Sequence, residues 1–319
     1  FRRVLFRSKQ WQWDLNFTYT RNRNKIVELS PDVTSYINLD GAANYGNYRI
    51  ASVAKVGSDY GMLMSDSWIK TDEKTGKPVV GYTNKFRTVY YKRGGTVKEV
   101  GSMLPNFLGS LNSTLRWKDL SLYVLFDARF GGYVASYNSR YATAYGFSGE
   151  TEKYRKGMTW TSKYANAQDK VFTDGFIPDV VFDAGTIVTT PGGTNQDVSG
   201  MTYQEAYEKG YVEPAHLQSA AYFKNSWGTG VINDDWFKKI NYIALREITL
   251  SYNVPTKISS YIGAKNLSLS FTGRNLAYLL NTAPNHENPE SVRGTGAAQF
   301  RMRSFMPYTA SYLFTLNAT

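Results

Sequence analysis

Apolar and polar side chains alternate along three long stretches at the end of the chain. From Ile240 to Tyr252 one parity carries Tyr242, Ala244, Ile248, Leu250 and Tyr252, and the other carries Asn241, Glu247, Thr249 and Ser251. Leu267, Leu269 and Phe271 oppose Ser268, Ser270 and Thr272. A last stretch sets Tyr308, Ala310, Tyr312, Phe314, Leu316 and Ala318 against Thr309, Ser311, Thr315, Asn317 and Thr319. Successive side chains of a strand point to opposite sides, so each stretch predicts a strand with one face in an apolar medium and one in a polar medium. The same period runs through Leu111, Leu115 and Trp117, through Leu120, Leu122, Val124, Phe126, Ala128 and Phe130, and through Trp11, Trp13, Leu15, Phe17 and Tyr19.

Period two also suits a soluble sandwich, so strand length carries the next step. Strands of soluble domains are mostly about 5 to 6 residues long, whereas a tilted strand crossing a bilayer needs about 9 to 11. The alternating stretches exceed the shorter length before any turn signal. The expectation is therefore all-β: the C-terminal part of an antiparallel transmembrane β-barrel, about nine strands, with one large extracellular insertion. Strands are expected at 106–117 and 119–134, joined tightly at Lys118, and at 238–253, 265–281 and 305–319, with three weaker ones within 45–91. The connections then sort by length, with short turns at 71–77, 118 and 254–264 and long ones at 92–105, 135–237 and 282–304. Outer-membrane barrels have that asymmetry between periplasmic turns and extracellular loops.

Residues 1–8 are set apart as a non-native leader, since they have neither the apolar core nor the cleavage site of a signal peptide. The remainder, 9–319, reads as a partial barrel domain that starts internally, with 135–237 a long extracellular loop region. Within that region Thr202 and Glu205 have capping-box spacing, which predicts a short helix. Gly263 is placed to end one helical turn after Pro255.

Composition narrows the classes. No apolar run approaches the roughly 18 residues of a spanning helix, so a membrane reading requires a barrel. Tyr, Phe and Trp number 25, 17 and 7, an excess that suits interfacial girdles, carbohydrate-stacking surfaces or a β-rich core. The net charge of +11 is dispersed, with no basic helix or RNA-binding signature, and nucleic acid is not expected as a partner. Zero cysteines exclude disulfides and thiolate metal sites.

Catalytic signals are lacking, and the chain reads as a non-enzyme without cofactor or metal. His216 and His286 have no second His at helical spacing. Asp234 and Asp235 read as a strand-entry turn, and Asp174, Asp179 and Asp183 as either a solvated face or an external calcium site. Gly94-Gly95 and Gly192-Gly193 lack phosphate-loop spacing, and Lys74-Thr75-Gly76-Lys77 reads as a hairpin turn. No Gly-x-Ser-x-Gly elbow occurs. For substrate contact the loop aromatics Trp160, Tyr164 and Trp227 are the candidates, since ring faces stack on sugars and peptides; the alternative is that they pack the loop's own core.

Four segments carry a family resemblance. The run Tyr242 to Pro255 resembles the "LR-x-hydrophobic-T-L-x-Y-x-hydrophobic-P" strand of SusC/RagA-type TonB-dependent outer-membrane transporters, and Gly273-Arg274-Asn275-Leu276 resembles their "G-x-N-L" strand. Pro105 to Asn112 is similar to the "P-x-F-x-G-x-hydrophobic-N" entry strand, and Asn22 to Val27 to the "N-x-N-K-hydrophobic-V" element. The resemblance implies TonB-dependent import of glycan or peptide fragments across the outer membrane of a Gram-negative bacterium of Bacteroidetes type, with this chain as part of the wall and external loops. It also implies a SusD-type surface lipoprotein, a TonB complex reached through an N-terminal plug that this segment lacks, an oligosaccharide or peptide substrate, and outer-membrane lipid. The rival expectations are a passive porin-like barrel or surface adhesin, and a soluble carbohydrate-binding β-sandwich.

Overall fold

The computed structural model describes residues 2–8, 10–39, 50–85, 87–144, 147–149, 152, 157–215, 237–292, 296, 299–302 and 307–319. The chain opens with β1 (Arg2–Arg7) and β2 (Trp11–Thr20). Six short strands follow: β3 (Tyr36–Asn38), β4 (Ile50–Lys55), β5 (Met62–Ser65), β6 (Val79–Thr83), β7 (Thr88–Tyr91) and β8 (Lys98–Ser102). The long hairpin of β9 (Phe107–Trp117) and β10 (Leu120–Ser136) leads into α1 (Tyr137–Ala144). Next come β11 (Met158–Thr161), β12 (Val171–Gly175), β13 (Val181–Phe182), β14 (Ile187–Thr189), β15 (Asn195–Asp197) and α2 (Tyr203–Glu208). The chain closes with β16 (Phe237–Val254), α3 (Thr256–Ser259), β17 (Leu267–Asn281), β18 (Arg301–Met302) and β19 (Ser311–Ala318).

The long strands pair as one antiparallel sheet in the order β1-β2-β9-β10-β16-β17-β19, with β18 alongside β10. No pairing joins β1 to β19 among the described residues, so the sheet is open. The expectation of the C-terminal part of a transmembrane β-barrel is corrected on this point: the long strands form an open antiparallel sheet. Alternation along a strand encodes two unlike faces but not whether the last strand returns to the first. No described helix is long and apolar enough to cross a membrane.

The strand count changes as well. The strands expected within 45–91 do not join the long sheet. They form a four-stranded sheet, β3-β4-β5-β8, and part of a three-stranded one, β13-β6-β7. The turn at 71–77 accordingly lies in this smaller body, where Asp72 N–H bonds Lys77 O at 2.9 Å and Thr75 N–H bonds Asp72 Oδ2 at 2.9 Å. It is the hairpin turn that the sequence suggests. Arg2–Arg7, within the segment set apart as a leader, pairs along β2 from Arg2 with Phe17 to Arg7 with Gln12.

Two insertions, one between β2 and β9 and one between β10 and β16, interlock into a cap at one end of the long sheet. Their joint is the parallel pairing of Val181 with Val79 and Phe182 with Val80. Around it Val80, Val89, Val180, Phe182, Val188, Val198, Tyr203 and Ala206 make a closed core. The α2 helix enters that core because its capping box forms: Thr202 Oγ1 accepts from Glu205 N–H at 3.2 Å, and Glu205 Oε2 accepts from Thr202 N–H at 2.7 Å. A second core of Ile50, Leu63, Met103, Ala135, Tyr137, Phe237 and Phe300 fastens the four-stranded sheet to the ends of β10 and β16.

At the opposite end the connections are tight. Lys118 adopts φ 50° between the paired Trp117 and Leu120, and Gly263, at φ 74°, ends the helical turn after Pro255 as the sequence predicts.

Breaks in the ladder reset the side-chain parity. Between Glu247 and Leu245, Arg246 bulges out, so Ala244 and Tyr242 pair with Asp127 and Arg129. The sequence places Tyr242 and Ala244 on the face of Ile248 and Leu250; the bulge moves them to the polar face, where both are buried. On β17, Asn275 takes φ 51° at the matching break. On β10, Gly131 and Gly132 both sit at φ 86°, and Asn241 Oδ1 accepts from Gly131 N–H at 2.9 Å. A bulge of this kind bends its strand and re-aims side chains.

Gly132 permits a close approach that no other residue fits, since a Cβ there would stand 2.7 Å from the Met103 carbonyl oxygen. Gly132→Ala is expected to destabilise the chain by about 1–3 kcal/mol through backbone strain, read as a lower midpoint in urea unfolding.

Candidate binding clefts

The cap end of the sheet carries two open clefts. The first, of about 460 Å³, lies between the run leaving β2 and the chain entering β9, and is lined by Arg21, Asn22, Arg23, Asn24, Lys25, Asp59, Leu104, Pro105 and Asn106. Both walls are held by hydrogen bonds. Asn24 Oδ1 accepts from Tyr60 N–H at 2.7 Å, and Ile26 exchanges backbone bonds with Ser58 and Gly57 at 3.0 and 2.8 Å. Opposite, Asn106 N–H donates to Phe130 O at 2.8 Å. The "N-x-N-K" element thus acts locally by clamping the basic run to the β4–β5 turn.

The second cleft, of about 440 Å³, is lined by Asn138, Ala142, Phe147, Asn285, His286, Glu287, Asn288, Pro307 and Tyr308. Its loop is pinned by two carboxylates of opposite electrostatic character. Glu290 accepts from Arg246 Nη2 at 2.6 Å and from the Tyr278 and Tyr242 hydroxyls at 2.9 and 3.3 Å. Arg246 also donates to Asp127 Oδ2 at 2.9 Å. Burial alone would raise the Glu290 carboxyl, yet the Arg246 bond and charge and the tyrosine hydroxyls hold it below the usual carboxylate range. Glu287 is raised instead: burial dominates, and the bonds from Asn138 and Ser136, at 3.5 and 3.4 Å, offset it only in part.

Two of the three aromatic candidates, Trp160 and Tyr164, lie among the described residues. Tyr164 is 7% exposed. Its hydroxyl donates to Thr189 O at 3.1 Å and meets the Tyr82 hydroxyl at 3.4 Å, with the Arg87 guanidinium 4.7 Å above its ring. Burial pushes its phenol up. Trp160 stacks on Phe172 at 4.8 Å and donates to Glu213 at 3.3 Å. Trp160 and Tyr164 come together around a residual space of about 20 Å³. Trp227, with His216, Asp234 and Asp235, lies outside the described residues.

The other sequence candidates separate. Asp179 pairs with Lys77 at 2.7 Å, and Asp183 with Lys70 at 2.8 Å and Lys92 at 3.5 Å. No group of three His, Cys, Asp or Glu side chains that could hold a metal occurs among the described residues. Arg129 donates to Gly131 O and Met103 O, both at 3.3 Å, and Asp127 serves Arg246. The basic cleft was not foreseen as a site; its signal was the alternation of Arg21, Arg23 and Lys25 with Asn22 and Asn24.

No family model matches this sequence, and no curated protein does. Solved structures do resemble its fold. The "open-open" state of the RagAB peptide importer aligns over 99% of this chain and 27% of that chain, at 12% identity and a TM-score of 0.54. The "closed-closed" state aligns over 99% and 28%, at 12% identity and a TM-score of 0.55. The RagAB peptide transporter gives 11% identity and a TM-score of 0.52 over 99% and 28%. The chain spans little more than a quarter of those chains.

Identity this low shows a distant likeness of fold to a transporter. It corrects the sequence resemblance, which read the chain as the barrel portion of a SusC/RagA-type transporter. With the sheet open, the roles that the resemblance implied for a part of a barrel wall are corrected too: TonB-dependent import, residence in the outer membrane, and the description as a transmembrane β-barrel.

The two loop carboxylates predict opposite responses. Because the folded Glu290 carboxyl lies below its unfolded value near 4.3, its contribution is present above that value and lost as pH falls through the folded one. Glu290→Gln is expected to destabilise the loop by about 1 kcal/mol at neutral pH, allowing for solvent screening. Glu287, raised in the folded state, weakens the fold as pH rises through its folded value, so Glu287→Gln is expected to be neutral or stabilising at pH 7. Hydrogen exchange of residues 282–292 from pH 3 to 7 checks both. Equal responses of the two variants would contradict the assignment.

Proposed function

We propose that this chain is a non-enzymatic binding protein that captures oligopeptides at the cap end of its sheet, in the manner of a surface adhesin. The observation that supports this reading is the cap: two insertions fold into one body, and open clefts lie beside the first of them and between the segment after β10 and the connection from β17 to β19. The likeness to structures described as peptide importers favours peptide as ligand. The proposed protein partner is a surface lipoprotein of SusD type, which would cover ligand held at this end.

No reaction is assigned to the clefts. The carboxylates that could act in pairs are engaged elsewhere: Asp127 and Glu290 share Arg246, and Glu213 accepts from Ser162 at 2.8 Å and from Trp160. A second reading, capture of oligosaccharide, is favoured by one feature. Phe147, 82% exposed, stands in the second cleft beside Tyr308, and exposed ring faces stack on sugar rings. Trp160 is proposed as a minor contributor through its remaining exposed edge.

The full chain titrated calorimetrically with a pool of hexapeptides, and separately with a pool of neutral oligosaccharides, separates the two readings. Peptide is expected to bind and to be recovered unchanged by mass spectrometry. Binding of sugars alone selects the second reading, and cleavage of either pool removes the non-enzymatic one.

A further inference from the structure

The first cleft has a charge arrangement found nowhere else among the described residues. Elsewhere several cations pair with carboxylates: Lys55 with Glu99, Lys70 and Lys92 with Asp183, Lys77 with Asp179, Arg116 with Asp14, Arg246 with Asp127 and Glu290, Arg274 with Glu247. In the cleft, Arg21, Arg23 and Lys25 face a single carboxylate, Asp59, and none of the three forms an ion pair with a described residue. Three like charges set against one carboxylate leave the cleft net positive, and the remaining repulsion is relieved by an anion bound between the walls.

Spacing selects the kind of anion. Arg21, Arg23 and Lys25 occupy alternate positions of a run that contains no helix or turn. On an extended chain alternate residues lie about 6–7 Å apart. Carboxylates on alternate residues of an extended peptide have the same interval, so cation and carboxylate rows match along their length. The rest of the lining also suits a peptide. Asn22 and Asn106 offer amide groups, which both donate and accept, to a peptide backbone, and Leu104 and Pro105 add apolar lining. The volume, about 460 Å³, falls in the ordinary range of ligand pockets. Because Asn24 and Ile26 tie one wall to the β4–β5 turn and Asn106 ties the other to β10, the row of cations is presented on a fixed frame.

We infer that this cleft binds an extended acidic oligopeptide with carboxylates at alternate positions, one against each of Arg21, Arg23 and Lys25. The inference rests on the reading of the chain as a peptide-capturing protein and names the peptide class. Arg21 and Arg23 grip carboxylates with forked guanidinium groups, and Lys25 acts as a point charge. Asp59, at the mouth, disfavours a fourth carboxylate.

The test uses the full chain and three capped pentapeptides by fluorescence anisotropy. One carries glutamates at positions one, three and five; one carries three consecutive glutamates; one carries glutamines in place of the alternating glutamates. The alternating acidic peptide is expected to bind best, more weakly as salt is raised. Its affinity should fall at least about tenfold in the triple variant Arg21→Gln, Arg23→Gln, Lys25→Gln. The charge-keeping pair Arg21→Lys, Arg23→Lys, which loses the forks but keeps the charge, should fall between the wild type and the triple variant, and Lys257→Gln, at the far end of the sheet, should keep all of it. Circular dichroism of each variant checks that the fold is intact, and Lys25→Gln alone, expected to weaken binding less than the triple variant, serves if the triple variant misfolds. Equal affinity for the glutamate and glutamine peptides, or no loss in the cation variants, overturns the acidic specificity while leaving peptide capture standing. No binding of any peptide overturns both.

Discussion

A strand keeps its two faces apart only while its ladder is unbroken, and this molecule depends on where the ladder of β10, β16 and β17 breaks. Toward the tight-turn end, pairing is regular and the faces stay as the sequence writes them. Leu250 pairs with Phe271 on one side, while Thr249 meets Thr272 and Ser251 meets Ser270 on the other, with hydroxyls 2.9 and 3.0 Å apart. Beyond Glu247 the bulge at Arg246 turns the strand over. That turn sets the Arg246 guanidinium between Asp127 and Glu290, and it drops Tyr242 and Ala244 into a core with Val134, Ile240 and Met302. The loop over the second cleft is pinned because a ladder irregularity delivers a cation to the right place.

The sheet and the cap are stabilised in different ways. Each cap core is closed, with Val80, Val89 and Phe182 out of water and two insertions contributing to one cluster. The long sheet turns its apolar parity outward: Phe271 is 52% exposed while its neighbour Thr272, on the polar side, is 8%. Trp11, Trp13, Phe17, Leu250, Tyr312 and Phe314 extend the same exposed surface. Contiguous apolar area on this scale marks a contact surface. The fasteners between the two regimes are Ala135 and Phe237, which carry the ends of β10 and β16 into the cap. Local opening is therefore expected to start at the outer strands, β1 and β19, and to reach the cap last.

The legible parts of the sequence were those governed by neighbours in the chain. The hairpin at Lys118, the capping box of Thr202 and Glu205, and the helix stop at Gly263 each rest on a few adjacent residues, and the structure has all three. The apolar parity of Leu267, Leu269 and Phe271 is likewise as written. What failed was long-range. Period two carries no signal for an inserted residue, so Tyr242 and Ala244 were placed on the wrong face. The Val79–Val181 joint links two short strands a hundred residues apart in sequence, too short to show a period and too distant for local chemistry to announce. Membership of a larger barrel belongs to the same class, since it concerns how end strands are partnered, and alternation describes strands one at a time. Trp160 and Tyr164 were legible as aromatics in an insertion; their packing depended on Phe172, Glu213 and Arg87 arriving from other segments.

The net charge of +11 has the same lesson in electrostatic form. As a composition it reads as dispersed, and dispersion argues against a nucleic-acid partner without proposing another. The fold sorts it. Where the small sheets and the long sheet bring carboxylates near, Lys70, Lys77, Lys92, Arg116 and Arg246 are neutralised within the chain. Where the run after β2 is clamped to the β4–β5 turn, Asp59 is the one carboxylate in the lining and forms no ion pair with Arg21, Arg23 or Lys25 among the described residues. Exposed ion pairs contribute little to stability, so the paired cations chiefly cancel field, and the field that survives is concentrated at the cations left over. A ligand approaching the cap end meets the charge of Arg21, Arg23 and Lys25, fixed on a frame held by Asn24, rather than the chain's average.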